Sequence, residues 1–492
     1  MPEESDISEY HLRSKKRCEL YERGINPYPA HTKRTHSIAE ALDGFTAMSS
    51  GKIVIALSGR VRSMRTHGGS TFAHIEDGMG VIQVYFKKDS MESGAYEFLH
   101  AFVGIGDFIE VEGVLFLTKT NEKTLLADRL RVLSKTLRPL PEKWKGLIDK
   151  EGRYRKRYLD LISNKDVREL FQKRTFFINT MRNFLVERGY MEVEVPVLEH
   201  IPGGADALPF ITRHNTLDIN LYLRISLELH LKRLIVGGFD KVFELGKVFR
   251  NEGMSTQHLQ EFTMMECYEA YQDYTYYMQF VEDMYTEIIL KTFGSLRVVY
   301  KNGLLDFSPK WPRKDYQELF HEHTGIDLSL CREKDELVHA AKKLGTLEKV
   351  DFSLGRGRII DLIYKRLVRP KLIGPLFLIN HPVEISPLAK RRETDQFTTE
   401  RFQVIIDGSE VGNGFSELND PVDQKQRFEE QMKLREAGDK EAHMLDEDYI
   451  EALEHGMPPT AGFGLGIDRL FAIASNQDSV RDVVLFPIMR QK

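Results

Sequence analysis

The chain has 492 residues, 41% hydrophobic and 29% charged, with a formal net charge of −5. That length allows two or three domains with a large core, and the charge excludes a protein that binds polyanions over its whole surface; any RNA contact must come from local patches. Cys18, Cys267 and Cys331 are widely spaced with no CxxC pair, which excludes a disulfide framework and a cysteine zinc site. The stretch MPEESDISEYHLRSKKR has no apolar leader core, and no run of about 18 apolar residues follows. The expectation is a cytoplasmic protein without a membrane partner.

Residues 8–24 carry a helical pattern with a basic face (Arg13, Lys15, Lys16, Arg17), ended by Gly24 and broken by Asn26-Pro27-Tyr28-Pro29. Residues 52–135 read as five short strands separated by turns at Gly68-Gly69, Asp77-Gly78 and Asn121. Five strands in so short a segment predict a small closed barrel whose order suits an oligonucleotide-binding fold. Such barrels stack bases on aromatic rings beside a cationic groove. Phe72, Gln83, Arg60 and Arg65 lie on the first three strands and could supply stacking, base-edge and phosphate contacts. A strand phenylalanine is more often a core residue, and the residues alone favour that reading for Phe72.

The Pro-punctuated, basic segment 137–162 reads as a linker into a helix, with a domain boundary near Lys145. Helical spacing over 166–188 (Leu170, Phe171, Ile178, Met181, Phe184, Leu185) stops at Gly189, and the alternating strand MEVEVPVL ends at Pro196. This helix and strand suit either a dimer interface or core packing. Gly203-Gly204 permits close backbone approach to an amine or carboxylate, or makes a plain turn. The segment LYLRISLELHLKRLIVGG changes from strand to helical spacing at Glu228.

Lys241–Tyr271 predicts a long antiparallel hairpin. Alternation puts Phe262, Met264, Glu266 and Tyr268 on one face, where a carboxylate among apolar side chains requires a cationic partner. Arg250 and Glu252 close the first strand, and His258 lies across the loop. A surface hairpin with a solvated Glu266 is the alternative. Residues 273–292 are helical, and 295–378 read as an inserted helical region. Residues 401–420 form a second hairpin turning at Asp407-Gly408, with Glu410 just past the turn and Asn413, Phe415 and Glu417 sharing a face. Last, GMPPTAGFGLGIDRLFAIAS is a Gly-rich strand or loop running into an apolar helix with Arg469 in its first turn, a natural phosphate site that matches neither the P-loop nor the Rossmann spacing.

Assembled, these residues resemble the class II lysyl-tRNA synthetases from about Tyr10 onward. The helix with MEVEVP resembles motif 1, FRNEG…HLQEFTMME motif 2, and GFGLGIDR motif 3; NPYP, LRPLPEKWKGL, RYRKRYLDLI, IPGGA, ISPLAK and GNGFSELND resemble the lysyl subgroup. The resemblance implies an α+β chain: an N-terminal helix and OB-fold anticodon-binding β-barrel over 1–145, then a catalytic domain over 146–492. That domain would be an antiparallel sheet flanked by helices with a helical insertion around 295–378. It implies a homodimer that joins L-lysine to ATP as lysyl-adenylate and passes lysine to the 3′ end of tRNA(Lys), with Mg2+ as cofactor and no DNA partner.

Carried over residue by residue, the resemblance puts Arg250, Glu252, His258 and Arg469 at the reaction, with Phe262 and Glu410 also on ATP. It puts Gly204, Glu228, Glu266, Tyr268, Asn413, Phe415 and Glu417 around lysine, and Arg65, Phe72 and Gln83 on the anticodon. The metal set would be Glu410 and Gln403, with Glu417 as a further ligand. Gln403 stands where the family has a glutamate, Leu208 where it has a basic residue, Leu259-Gln260 where it has Asn-Pro, and Gly69-Ser70-Thr71 where it has Lys-Ala-Ser. Two other readings are a paralogue that lysylates a protein, which the barrel argues against, and a degenerate synthetase that binds RNA, which Arg250 and Arg469 argue against.

Overall fold

Period-two alternation in the first third of the chain closes into a barrel. Strands β1 (Val54–His67), β2 (Ser70–Glu76), β3 (Val81–Lys87), β4 (Phe108–Leu117) and β5 (Lys123–Ser134) run in the order β1-β2-β3-β5-β4. The computed structural model describes residues 4–141, 147, 149–301, 303–345, 354–439 and 441–490, so the boundary expected at Lys145 lies outside the described residues. The chain divides into two units, Met1–Leu147 and Ile148–Lys492.

In the first unit, Leu57, Ala73, Ile75, Val84, Phe86, Val111 and Leu125 fill the barrel. Because Thr71, Ala73 and Ile75 point inward, alternation turns Phe72 outward, half-buried on the barrel's surface; it is not the core residue that its type favoured. Arg60 is not free for a phosphate: it donates to the Gly106 carbonyl (3.1 Å) and lies 4.2 Å over the Phe108 ring. Helix α1 (Glu4–Glu22) precedes the barrel, and two residues of its basic face are engaged, Arg13 with Glu9 (2.8 Å) and Arg17 over the Tyr21 ring.

The second unit is built on an eight-stranded sheet. Its strands are β6 (Met191–Glu192), β7 (Lys241–Phe249), β8 (Glu261–Ala270), β9 (Arg313–Asp315), β10 (Leu376–Ile379), β11 (Arg401–Ile406), β12 (Ser409–Ser416) and β13 (Thr460–Gly466), in the order β9-β10-β11-β12-β13-β8-β7-β6. The two edge strands pair in parallel and the six between them are antiparallel. Asp407 and Gly408, both at positive φ, make the tight turn between β11 and β12.

Alternation splits each central strand between two environments. Phe243, Met265, Cys267, Val404, Phe463 and Leu465 face helices α2 (Lys165–Glu187) and α4 (Tyr274–Phe293), which bring Phe177, Met181, Phe184, Val281 and Ile288 onto the sheet. The opposite face carries Phe262, Met264, Glu266 and Tyr268. Helix α3 (Glu228–Val236) borders that face, and α5 (Ile467–Ala474) leaves the end of β13. Asp468 in its first turn accepts from the Thr263 amide (2.9 Å) and from Arg174 (2.5 Å), fixing α5 against β8 and α2.

Two expectations change. MEVEVPVL does not run as one strand: Met191 and Glu192 pair with β7 and Leu198 pairs with Leu223, because between them the Val195 amide turns to the Glu244 carboxylate (2.8 Å) and Pro196 has no amide to offer. Segment 295–378 is not purely helical: it opens with a hairpin, Arg297–Tyr300 with Gly303–Asp306, and contributes β9 and β10 to the sheet. Between these lie helices Tyr316–Thr324, Lys334–Lys343 and Arg356–Ile363, the last running into a π-turn at Tyr364–Val368.

Arg224 ties the loop before α3 to β7. Its guanidinium is 3% exposed, pairs with Glu244 (2.8 Å), and donates to the carbonyls of Val195 (2.8 Å) and Lys247 (2.8 Å). Glu244→Ala would strand a buried guanidinium and lower stability by about 3–5 kcal/mol. The measurement is thermal melting of the full chain, and an unchanged melting temperature would contradict this role.

Candidate active site

The open face of the sheet floors a cavity of about 580 Å³. Every residue that the resemblance puts on ATP, lysine or metal lines it: Gly204, Glu228, Arg250, Glu252, His258, Phe262, Glu266, Tyr268, Gln403, Glu410, Asn413, Phe415, Glu417 and Arg469. Strand alternation delivers five of them, since Phe262, Glu266 and Tyr268 on β8 and Asn413 and Phe415 on β12 share a face. The cationic partner expected for Glu266 is not found among the described residues; its carboxylate is held by neutral donors instead, and the cations gather at the other end of the cavity.

One end is basic. Arg250 lies 5.2 Å over the Phe262 ring and donates to the Ile225 carbonyl (3.2 Å), leaving a cation and an aromatic plane side by side. Arg469 donates to the carbonyls of Glu410 and Gln257, while its buried Nε has no protein partner. His258, hydrogen-bonded to the Ser255 hydroxyl (2.8 Å), is held down to about 4 by burial and by Arg469, Arg369 and Arg250, so its ring is neutral at pH 7. The unusual pair Leu259-Gln260 is absorbed locally. Leu259 packs into the helix-covered core, and Gln260 donates to the Glu252 carbonyl (3.1 Å).

The other end is acidic. Glu266 is 2% exposed; its carboxylate accepts from the Ser226 hydroxyl (2.8 Å), the Leu227 amide (3.0 Å) and the Tyr268 hydroxyl (3.0 Å). Burial and the nearby Glu228 charge push its carboxyl up to about 7 despite those donors. Glu417 is 1% exposed, and its Oε1 is a buried acceptor with no hydrogen-bond partner. The backbone is shaped to admit these groups. Gly462 carries no side chain because a methyl there would overlap the Tyr268 ring and Glu417 Oε1. Gly204, at φ +85°, brings bare backbone to Ser226 and Glu228, where a Cβ would come within 3.0 Å of both.

Between the two ends, Arg401 donates to Asn413 Oδ1 (2.8 Å), and Gln403 donates to a Glu410 oxygen (3.0 Å), leaving Gln403 Oε1 buried and without a partner. Among the described residues no group of three or more His, Cys, Asp or Glu side chains could hold a metal. The Glu410 carboxylate and Gln403 Oε1 are hard oxygen donors, and they fit a hard cation whose remaining ligands come from phosphate and water. Glu417 leaves that set. Its carboxylate is already engaged by the buried ammonium of Lys232, through Oε2.

Sequence reasoning missed several lining residues. Ser226, Arg401 and Tyr316, Arg358, Tyr364, Lys365 and Arg369 of the inserted segment all reach the cavity. No local pattern marks the last five, which tertiary packing alone brings in. Lys232 was also missed, although its position four residues after Glu228 on α3 carried a usable signal.

In the barrel unit, the outward face of β1–β3 collects the other three candidates. Arg65 pairs in register with Phe72, and Phe72 with Tyr85, whose rings stack at 4.5 Å. Ser70, one of the departures from the family pattern, meets the Tyr85 hydroxyl at 2.9 Å. Gln83 is held by Glu122 (2.7 Å) and Thr124 (2.8 Å), and Arg65 is exposed. Together they make an aromatic plane flanked by an amide and an exposed cation.

No helix among the described residues is long and apolar enough to cross a membrane. The family model for tRNA synthetases class II (D, K and N) matches residues 149–490, and that for OB-fold nucleic acid binding domains matches residues 55–133. A lysine–tRNA ligase of Pelotomaculum thermopropionicum is 48% identical over 490 residues, 99% of this chain and 96% of the relative. Another, of Syntrophomonas wolfei, is 48% identical over 491 residues, 99% of this chain and 98% of the relative. A third, of Carboxydothermus hydrogenoformans, is 46% identical over 481 residues, 98% of each. With both domain models matched in order, the cavity in place and identity sustained end to end, the chain belongs to the class II tRNA synthetases and, within them, to the lysine–tRNA ligase family.

Proposed function

We propose that the chain activates L-lysine with ATP and transfers it to the 3′ end of tRNA(Lys) in the cytoplasm, as a homodimer. The observation that carries this reading is the acidic end of the cavity. Buried carboxylates beside a tyrosine hydroxyl, with an acceptor left open at Glu417 Oε1, suit an ammonium group at the end of a flexible chain. A neutral side chain would leave those acceptors desolvated and unpaired, so discrimination follows from burial.

Lysine lies with its α-amino group at Gly204 and Glu228 and its ε-ammonium at Glu266, Tyr268 and Glu417, beside Asn413 and Phe415. Adenine stacks on Phe262, and the triphosphate runs along Arg250, Glu252, His258 and Arg469. One oxygen of the lysine carboxylate attacks the α-phosphorus in line, forming the acyl-phosphate bond as the bond to pyrophosphate breaks. Arg250 neutralises charge on the α-phosphate and Arg469 on the leaving group. A hydroxyl of the tRNA terminal ribose then attacks the adenylate carbonyl and AMP leaves. No covalent enzyme intermediate is needed; alignment and charge stabilisation suffice. Mg2+, held by Glu410 and Gln403 Oε1 together with ATP, would supply further charge neutralisation at the phosphates.

Residues 1–145 act as the anticodon-binding domain, with Phe72 stacking a base, Gln83 reading an edge and Arg65 meeting a phosphate; residues 146–492 are the catalytic domain. Dimerisation is supported by the apolar side chains Phe176 and Val186 on α2 and Met191 on β6, which are exposed in the single chain.

Two experiments test these assignments. Glu266→Gln removes a charge-assisted contact, so the lysine KM rises about 10-fold or more while the ATP KM holds. Because the Glu266 carboxyl sits near 7, wild-type lysine affinity also strengthens as pH rises from 6 to 8 and Glu266 loses its proton, and the variant loses that dependence. A flat wild-type profile with an unchanged KM in the variant would place Glu266 outside the lysine pocket. Phe72→Ala lowers tRNA charging by the equivalent of about 1–3 kcal/mol in kcat/KM for tRNA, leaving pyrophosphate exchange intact. Equal charging by the two proteins would remove Phe72 from tRNA recognition.

A further inference from the structure

Lys232 is fully buried yet does not line the cavity, although both of its partners do. Its Nζ lies 2.5 Å from Glu228 Oε1, forms a salt bridge to Glu417 Oε2, and sits 5.2 Å over the Phe415 ring. Each carboxylate therefore gives one oxygen to Lys232 at the back, and Glu417 keeps Oε1 unbonded. We propose that Lys232 is a positioning residue for amino-acid selection. From behind the pocket wall it fixes one oxygen of each of Glu228 and Glu417, leaves Glu417 Oε1 open, and offsets part of the negative charge that a substrate with two ammonium groups meets.

The charges carry the inference. Glu228, Glu266 and Glu417 are three buried carboxylates in one wall, and Lys232 is the cation paired with two of them. Lys232 offsets part of the negative charge of that wall, and the α- and ε-ammonium groups of one lysine meet what is left. Without Lys232 two neighbouring buried carboxylates would repel each other, and one would become a neutral acid that no longer binds an ammonium strongly. Among the described residues no other group facing Lys232 takes its place. The Tyr268 hydroxyl is bonded to Glu266, the buried Tyr449 hydroxyl has no hydrogen-bond partner, and Arg233, next on the helix, pairs with Asp446 (2.8 Å) and stands over the Tyr449 ring.

This inference rests on lysine being the amino acid activated, which lysine-dependent exchange by the wild type tests separately. Lysine and ATP KM values in pyrophosphate exchange are compared for full-length wild type, Lys232→Met, Glu417→Gln and the double variant. Lys232→Met should raise the lysine KM about 10-fold or more with the ATP KM within about twofold. Because Lys232 acts through its partners, adding Lys232→Met to Glu417→Gln should raise the lysine KM by no more than about threefold further. A lysine KM within about twofold of wild type in Lys232→Met, an ATP KM rising in step, or a full additional 10-fold loss in the double variant would overturn the proposal. The double variant has no unpaired buried Glu417 charge. If Lys232→Met alone yields no soluble protein, its comparison with Glu417→Gln decides by the same threefold and 10-fold outcomes.

Discussion

The fold of the catalytic unit is constrained most by carboxylates held away from water. Glu228, Glu266 and Glu417 come from a helix start, a central strand and the residue just past β12, two strands away, and all three are at most 7% exposed. Isolated buried charges of this kind would prevent folding. Here Glu266 has two hydroxyls and a backbone amide, and the other two share Lys232. What is left uncompensated faces the cavity. The surrounding structure places those donors: the Arg224–Glu244 pair fixes the loop that carries Ser226 and Leu227, and Gly462 makes the room beside Tyr268.

The sheet's alternation converts that constraint into a site. The same strands that give Met265, Cys267 and Leu465 to the helix-packed core give Met264, Glu266 and Gly462 to the cavity, so stability and ligand contact reside on opposite faces of one layer. The basic end depends on the same device. Asp468 holds the first turn of α5 to β8, which keeps Arg469 opposite Arg250 and Phe262. A phosphate-binding end and an ammonium-binding end are thereby fixed on one rigid floor, with geometry that a loop-built site would not hold as closely.

Where local chemistry decides structure, the sequence was readable. Alternation with Asp407-Gly408 identified the second hairpin, and motif order with Glu266, Glu417 and Arg469 identified the cavity's two ends. Reading failed where tertiary contacts decide. Phe72 faces outward because of the phase set by Ala73 and Ile75, which residue type does not reveal. The strand at MEVEVP is short because Val195 is bonded to a side chain instead of to a neighbouring strand. Lys232 was overlooked because a lysine on an amphipathic helix usually keeps its head in water, and only the fold shows two acids around it. The inserted segment looked inert, yet packing brings its Tyr316, Tyr364 and Arg369 to the cavity wall.

The central claim is that the acidic end of the cavity selects lysine. ATP–pyrophosphate exchange by the full chain, run with each of the twenty amino acids in turn, tests it most directly. The account predicts exchange with lysine far above every other amino acid, aspartate and asparagine included. Exchange driven by aspartate or asparagine, with lysine at background, would contradict it.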